Sequence, residues 1–183
     1  ERSGMTVSID LVVDVLISFS AIDTTLAENA LNYLIAWTAT YDMDKILIPA
    51  ALQLTKMVTS SELPVVEQLR NAIRMHLHAR IAEVLEPPAD WRRDSQIKCT
   101  CKDCAELRTF LDNPAQSTWS FKAAEAKRNH IEHSIKSYQC DVTCITERRS
   151  RPYSLICTKN QASYQRRVEQ RKNDLDALAR LAV

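Results

Sequence analysis

Cys99-Thr100-Cys101-Lys102-Asp103-Cys104 is the stretch on which the whole chain turns. All six cysteines lie between Cys99 and Cys157, and residues 1–98 contain none. Sulfurs spaced two and three positions apart can converge on one ion from a loop that enters a helix. A fourth ligand must come from elsewhere. His130 and His133 follow one element later, three positions apart, and so share a helical face. Either imidazole can complete a tetrahedral Cys3His zinc site. Three thiolates and a neutral His around Zn2+ leave a net charge of −1, and Lys98, Lys102, Lys127 and Arg128 stand in sequence to offset it. Structural zinc of this closed kind stabilises folding and leaves no open catalytic position. The alternative is three reduced, unliganded thiols. A redox motif is disfavoured, because no C-x-x-C follows a strand in a βαβ context.

The other three cysteines are read differently. Cys140, Cys144 and Cys157 could join His133 in a second zinc site. The preferred expectation is that Cys144 and Cys157 are small apolar residues on strands, where free Cys is usually buried. Cys157 sits in the apolar run Leu155-Ile156-Cys157, which suits a core better than a ligand loop.

With 183 residues, the chain fits one domain or two small ones, and 45% hydrophobic residues can build a packed core. Glycine occurs once, at Gly4, so neither G-x-G-x-x-G nor a Walker loop is present, and turns must rely on Ser, Asp, Asn and Pro. No apolar run reaches the roughly 18 residues of a membrane span, and no charged-then-apolar leader precedes residue 20. The first residue is Glu1, so the chain is expected to be a piece of a longer protein. A chain this long, without a leader and with helical patterning, points to metal or free thiols in an intracellular setting, nuclear or cytoplasmic, rather than to disulfides.

Charge divides the chain. Residues 1–90 carry 6 Lys/Arg against 12 Asp/Glu; residues 91–183 carry 18 against 11. The change falls near Glu86-Pro87-Pro88-Ala89-Asp90, where two prolines also stop a helix. The expected domains are therefore an acidic helical one, 1–90, and a basic zinc-binding module, 91–183.

The first half reads as four amphipathic helices. Val7, Ile9, Leu11, Val12, Val15, Leu16 and Phe19 give the first its apolar face. Asp23-Thr24-Thr25 offers N-caps for the second, which carries Leu26, Ala30, Leu31, Leu34, Ile35 and Trp37. A third spans roughly Met43 to Val58, with Pro49 inside to kink it or shift its start. Ser60-Ser61-Glu62-Leu63-Pro64 opens a fourth that runs to about Leu85. Short links between them suggest two antiparallel pairs, a bundle or an α-solenoid stub.

The second half changes texture. Lys102 to Leu111 predicts a short helix, and Thr118 or Ser120 caps a longer one through about Tyr138. Residues 141–146 and 152–158 are β-branched or alternating around a polar turn, which predicts one hairpin. A last helix, about Gln161 to Leu181, carries Tyr164, Val168, Leu175, Leu178 and Leu181 on one side and can pack back on the first half. The fold class is mainly α: the helical N-terminal part plus a small α+β zinc module.

Catalytic patterns are weak. His76 and His78 point about 200° apart on a helix, and neither H-E-x-x-H nor an iron facial-triad start occurs. The stronger clue is basic. Arg148, Arg149 and Arg151 crowd the hairpin tip, and Lys159, Arg166 and Arg167 follow. Such a surface suits phosphate backbones, DNA or RNA, with no base-reading motif. The plainer alternative is a solvated turn and helix face.

The order C-x-C-x-x-C, Leu107, Phe110-Leu111-Asp112, Arg128-x-His130, Arg151-Pro152-Tyr153-Ser154-Leu155 and Thr158-Lys159 resembles a zinc-binding segment of large, mostly fungal and plant proteins. In those proteins it lies far downstream of a 2-oxoglutarate/Fe(II) dioxygenase-like domain. The resemblance covers about residues 97–165. It implies Cys99, Cys101, Cys104 and His130 as ligands, favouring His130 over His133, and offers no role for Cys140 or Cys144. The oxygenase itself would lie outside this chain.

The expectation from sequence is thus a non-catalytic domain of a larger intracellular protein, holding one structural Zn2+. A nucleic acid is its first candidate partner. A protein docked on the apolar helix faces is the alternative. No membrane and no small-molecule substrate is expected.

Overall fold

Helix by helix, the first half folds for reasons visible in its caps. In the computed structural model, which describes residues 7–57 and 63–182, Ser8 caps α1 (Ile9–Ile22) by accepting from the Leu11 N–H at 3.1 Å. Asp23 ends α1 and caps α2 (Thr24–Ala36), accepting from Leu26 at 2.9 Å. One short acid thus replaces a loop.

Pro49 acts as the sequence suggests. It lacks an N–H and would crowd the carbonyl four residues back. The backbone widens before it into a π-helical turn, Met43–Leu47, capped by Asp42, and then continues as α3 (Ile48–Met57). The Val58 end of that helix and the Ser60-Ser61-Glu62 start of the next lie outside the described residues. Helix α4 (Pro64–Ala82) opens with Pro at its first position and stops short of Leu85.

Two compact units result. Unit 1 takes residues 1–84 together with 169–183, and unit 2 takes 85–168. This differs from a split at residue 90. In unit 1, α1 packs on α2 and α3, and α4 closes the square against the same two. Val13, Leu16, Leu31, Leu54, Leu69, Ile73 and Leu77 fill the centre.

The last stretch of α7 (Ala162–Leu181) joins that core through Ala177 and Leu181. Its buried face is not the expected one, for Leu175 is 52% exposed whereas Asp174 is 2% exposed. The Arg80 guanidinium explains this. It forks between Asp174 (2.6 and 2.8 Å) and Asp44 (2.8 and 2.9 Å), and the two carboxylates push its pKa further up. Arg70 and Arg74 donate to the Leu181 carbonyl at 2.8 and 2.6 Å, satisfying the end of the helix. A split by net charge alone could not see these pairings.

Unit 2 holds α5 (Lys102–Asp112), α6 (Glu125–Ser137) and a three-stranded antiparallel sheet, order β1-β3-β2. The expected hairpin is β2 (Val142–Glu147) with β3 (Ser154–Lys159), in the register Cys144↔Cys157. Strand β1 (Thr118–Lys122) corrects the expectation of a helix beginning at Thr118. Trp119 and Phe121 stack in a ladder with Phe110, centroids 5.7 and 5.1 Å apart, which an extended segment alone permits. The helix starts later, at Glu125.

Helix α6 ends without glycine. Gln139 takes φ 49, Cys140 N–H reaches the Ile135 carbonyl, and Gln139 N–H reaches that of Lys136. This is a Schellman cap in which a side-chain-bearing residue occupies the left-handed position. Leu107, Leu111, Ile131, Leu155 and Cys157 form the core of the unit. Among the described residues, no helix is long and apolar enough to cross a membrane.

Candidate metal centre

Cys101 ends an extended segment and caps α5, with its Sγ 3.4 Å from the Cys104 N–H. Helix geometry then places Cys104 one turn in, and the preceding loop brings Cys99 alongside. Across them, α6 presents His130. Its Nε2 lies 3.6 Å from Cys99 Sγ, 3.4 Å from Cys101 Sγ and 3.3 Å from Cys104 Sγ. All four ligand atoms lie within 4.8 Å of one another.

A metal test follows from those distances. Zn–S bonds of about 2.3 Å and Zn–N of about 2.0–2.1 Å require S···N edges of about 3.6 Å in a tetrahedron. The three sulfur–nitrogen distances, 3.3–3.6 Å, fit that figure. The sulfurs are free thiols, not bridges. The cluster could therefore hold a metal ion, with all four positions supplied by the protein.

The surroundings suit thiolates. The cluster sits at the N-terminus of α5, the electropositive end of a helix, which suits thiolates bound to a metal. The backbone N–H of Cys101 pulls the Cys99 thiol below its usual range, helped by the neighbouring sulfurs and by Arg108. Burial pushes Cys104 up to about 11, against a contact with Ser134 Oγ at 3.5 Å. A bound metal must therefore displace the Cys104 proton against that shift.

Two supporting residues were missed in the sequence. Arg108 donates to the Cys99 carbonyl at 2.5 Å and to that of Ile97 at 3.4 Å, fixing the ligand loop. Ser134 donates to the His130 carbonyl at 2.9 Å. Each stands four positions after a ligand, Cys104 and His130, on the same helical face. Of the expected charge partners, Lys127 pairs with Asp103 at 3.6 Å, whereas Arg128 turns to the Ala123 carbonyl and the Tyr153 ring.

His133 does not join the cluster; its Nε2 is 3.2 Å from Ser137 Oγ. Cys140, Cys144, Cys157 and His133 do not gather into a second metal cluster among the described residues. Cys144 and Cys157 instead face each other across the sheet, with Cys157 in the core.

The six basic residues divide into three groups. Arg148, Arg149 and Arg151 are exposed in the turn after β2, where Lys122 joins them through Ser150 Oγ at 3.4 Å. Arg149 pairs with Glu147 at 2.9 Å. Arg166 and Arg167 are exposed on α7, and Arg166 lies 3.9 Å from Asp141, beside the opposite end of β2. Those two groups are separated by a strand of six residues, about 17 Å. Lys159 is a correction. It is 3% exposed, donates to the Asn113 carbonyl at 2.7 Å and sits 4.6 Å from the Phe110 ring. Burial and Arg93 push its ammonium below the usual range. The period of the strand explains it, because Leu155, Cys157 and Lys159 all face inward.

No protein-family model, no curated protein and no solved structure matches the chain. The fold and the site therefore define only a class, a helical protein with a small α+β unit built around a Cys3His cluster.

Proposed function

We propose that unit 2 is a zinc-stabilised, non-catalytic binding module of a larger intracellular protein, and that its hairpin tip contacts nucleic-acid backbone. The carrying observation is the cluster itself: three sulfurs within 3.3–3.6 Å of one imidazole nitrogen, with all four ligand atoms within 4.8 Å of one another and drawn from the chain. Soft thiolates in an S3N tetrahedron suit zinc. A site of that kind holds structure together and offers a substrate no coordination position. The resemblance to segments lying downstream of a dioxygenase-like domain supports a place inside a longer protein.

The tip supplies the partner chemistry. Lys122, Arg148, Arg149 and Arg151 crowd one end of the sheet, with Glu147 as the near counter-charge. Each phosphate neutralised contributes about −0.9 to the log–log salt slope. The zinc-loaded chain is titrated with duplex DNA and with single-stranded RNA at several salt concentrations. Three arginine contacts give a slope near −2.7 on duplex DNA and about −2.1 on single-stranded RNA, and Arg148→Glu with Arg149→Glu removes about two-thirds of it or more. Binding that is absent, or indifferent to salt, overturns the nucleic-acid reading.

A groove on unit 1 favours a second reading, protein docking. Leu11, Val15, Phe19, Tyr33 and Tyr41 line a cavity of about 310 Å³, and Tyr33 is 54% exposed. The tip reversal leaves such docking intact, which separates the two.

A further inference from the structure

Cys144 and Cys157 are unlike the other thiols. They stand directly opposite on β2 and β3, with sulfurs 3.5 Å apart, and neither belongs to the Cys3His cluster. We propose that they form a second thiol site of different chemistry, a cross-strand dithiol that a low-molecular-weight disulfide oxidises to an intramolecular bridge.

The backbone already permits the bond. Residues directly opposite in an antiparallel pair have Cα atoms about 4.5 or 5.5 Å apart, depending on the hydrogen-bonding pattern. Both values fall in the window of about 4.4–6.8 Å that a disulfide spans. Both side chains also lie on the same inward face. Val142, Cys144 and Thr146 alternate inward along β2, and Leu155, Cys157 and Lys159 do so along β3.

Access and acidity assign the roles. Cys144 is half-buried and Cys157 fully buried, so a reagent meets Cys144 first. The hydrogen bond with Cys157 pulls the Cys144 thiol below its usual range, an effect opposed by burial and Glu132 and aided by Lys136. The same bond, with burial, holds Cys157 protonated. The Cys144 thiolate attacks one sulfur of the reagent RSSR. A mixed disulfide forms and RS− leaves. Cys157 then gives up its proton and attacks Cys144 Sγ, expelling the second RS−. Two protein thiols are oxidised, RSSR is reduced, and two RSH are released.

Cys140 is the competing partner. It follows the left-handed cap of α6, and its thiol is raised by burial and by the neighbouring Asp141 and Cys144 charges. Register favours Cys157 over it.

The test uses the full chain loaded with zinc, in oxygen-free buffer, with oxidised glutathione as the probe. Peptide mapping should find a Cys144–Cys157 link, unchanged in Cys140→Ser. In Cys157→Ser the reaction should stop as a glutathione adduct on Cys144. In Cys144→Ser, Cys157 should stay reduced while the protein is folded. A link from Cys140 to Cys144, a lasting adduct on Cys144 in the unaltered chain, or no reaction at either cysteine overturns the proposal.

Discussion

Replacing His130 by Ala isolates the metal from everything else that holds unit 2 together. The ring is exposed, and its Nε2 faces the three sulfurs. Without metal, its removal should therefore cost no more than an ordinary surface change, within about 0.5 kcal/mol. With metal the result differs. Structural zinc binds small modules with about 10–16 kcal/mol, so one of four ligands carries about 2.5–4 kcal/mol. At free zinc about 1,000 times the dissociation constant, binding adds about 4.1 kcal/mol to stability. Losing one ligand's share should remove most of that. Unit 2 spans residues 85–168. For a unit of that size, each kcal/mol moves the midpoint by about 4–8 °C, so the expected fall is about 10–30 °C. Thermal unfolding is followed with zinc and again with a chelator, beside the metal content of the purified chain. Equal destabilisation in both conditions, or a zinc affinity in the variant unchanged from the unaltered chain by chelator competition, would refute the assignment of His130 as a ligand.

The pH dependence should reverse sign with the metal. In the metal-free chain, burial holds Cys104 as a neutral thiol with its pKa at about 11, above an ordinary value of about 8.5. The stability it contributes is complete below the ordinary value and is lost as pH rises through the folded one. In the loaded chain the thiolates must stay deprotonated, so stability falls as pH is lowered; parallel slopes in the two states would contradict this. Arg108→Met should weaken zinc affinity by about 10-fold or more, measured by competition with a chelator, because the carbonyls of Ile97 and Cys99 lose their clamp. Arg80→Met should cost about 2–4 kcal/mol in urea unfolding, since buried Asp174 then keeps only Gln170 as a donor, and adding Asp174→Leu should recover much of the loss.

What sequence revealed, and what it hid, follows from distance along the chain. Cys99, Cys101 and Cys104 were legible because their convergence is local, a loop meeting a helix. The choice between His130 and His133 was not settled by spacing, which puts both on one face; tertiary packing turns His130 toward the sulfurs and leaves His133 with Ser137. Strand β1 was misread because its partner β3 lies some 35 residues on, and Thr118 or Ser120 serves a cap as readily as a strand. The alternation of Trp119 and Phe121 was the available signal. Lys159 was misassigned by charge, although period two already set it beside Leu155 and Cys157. The buried face of α7 was hidden in a different way. Asp174 looks like a surface residue until Arg80, 94 positions earlier, is brought to meet it.

Unit 2 is an uninterrupted stretch, whereas unit 1 is sewn from two, one on each side of it. Order of synthesis therefore matters. The helices before Val84 emerge early, but Asp174, Ala177 and Leu181 are not yet made to meet Arg80, Arg70 and Arg74. At about 5–20 residues per second, translating residues 85–168 takes roughly 4 to 17 s. During that interval the early helices lack their last wall, and a holdase or neighbouring nascent chain has its best opportunity to engage them. The interrupting unit, made in one uninterrupted piece, has no such wait for a distant segment.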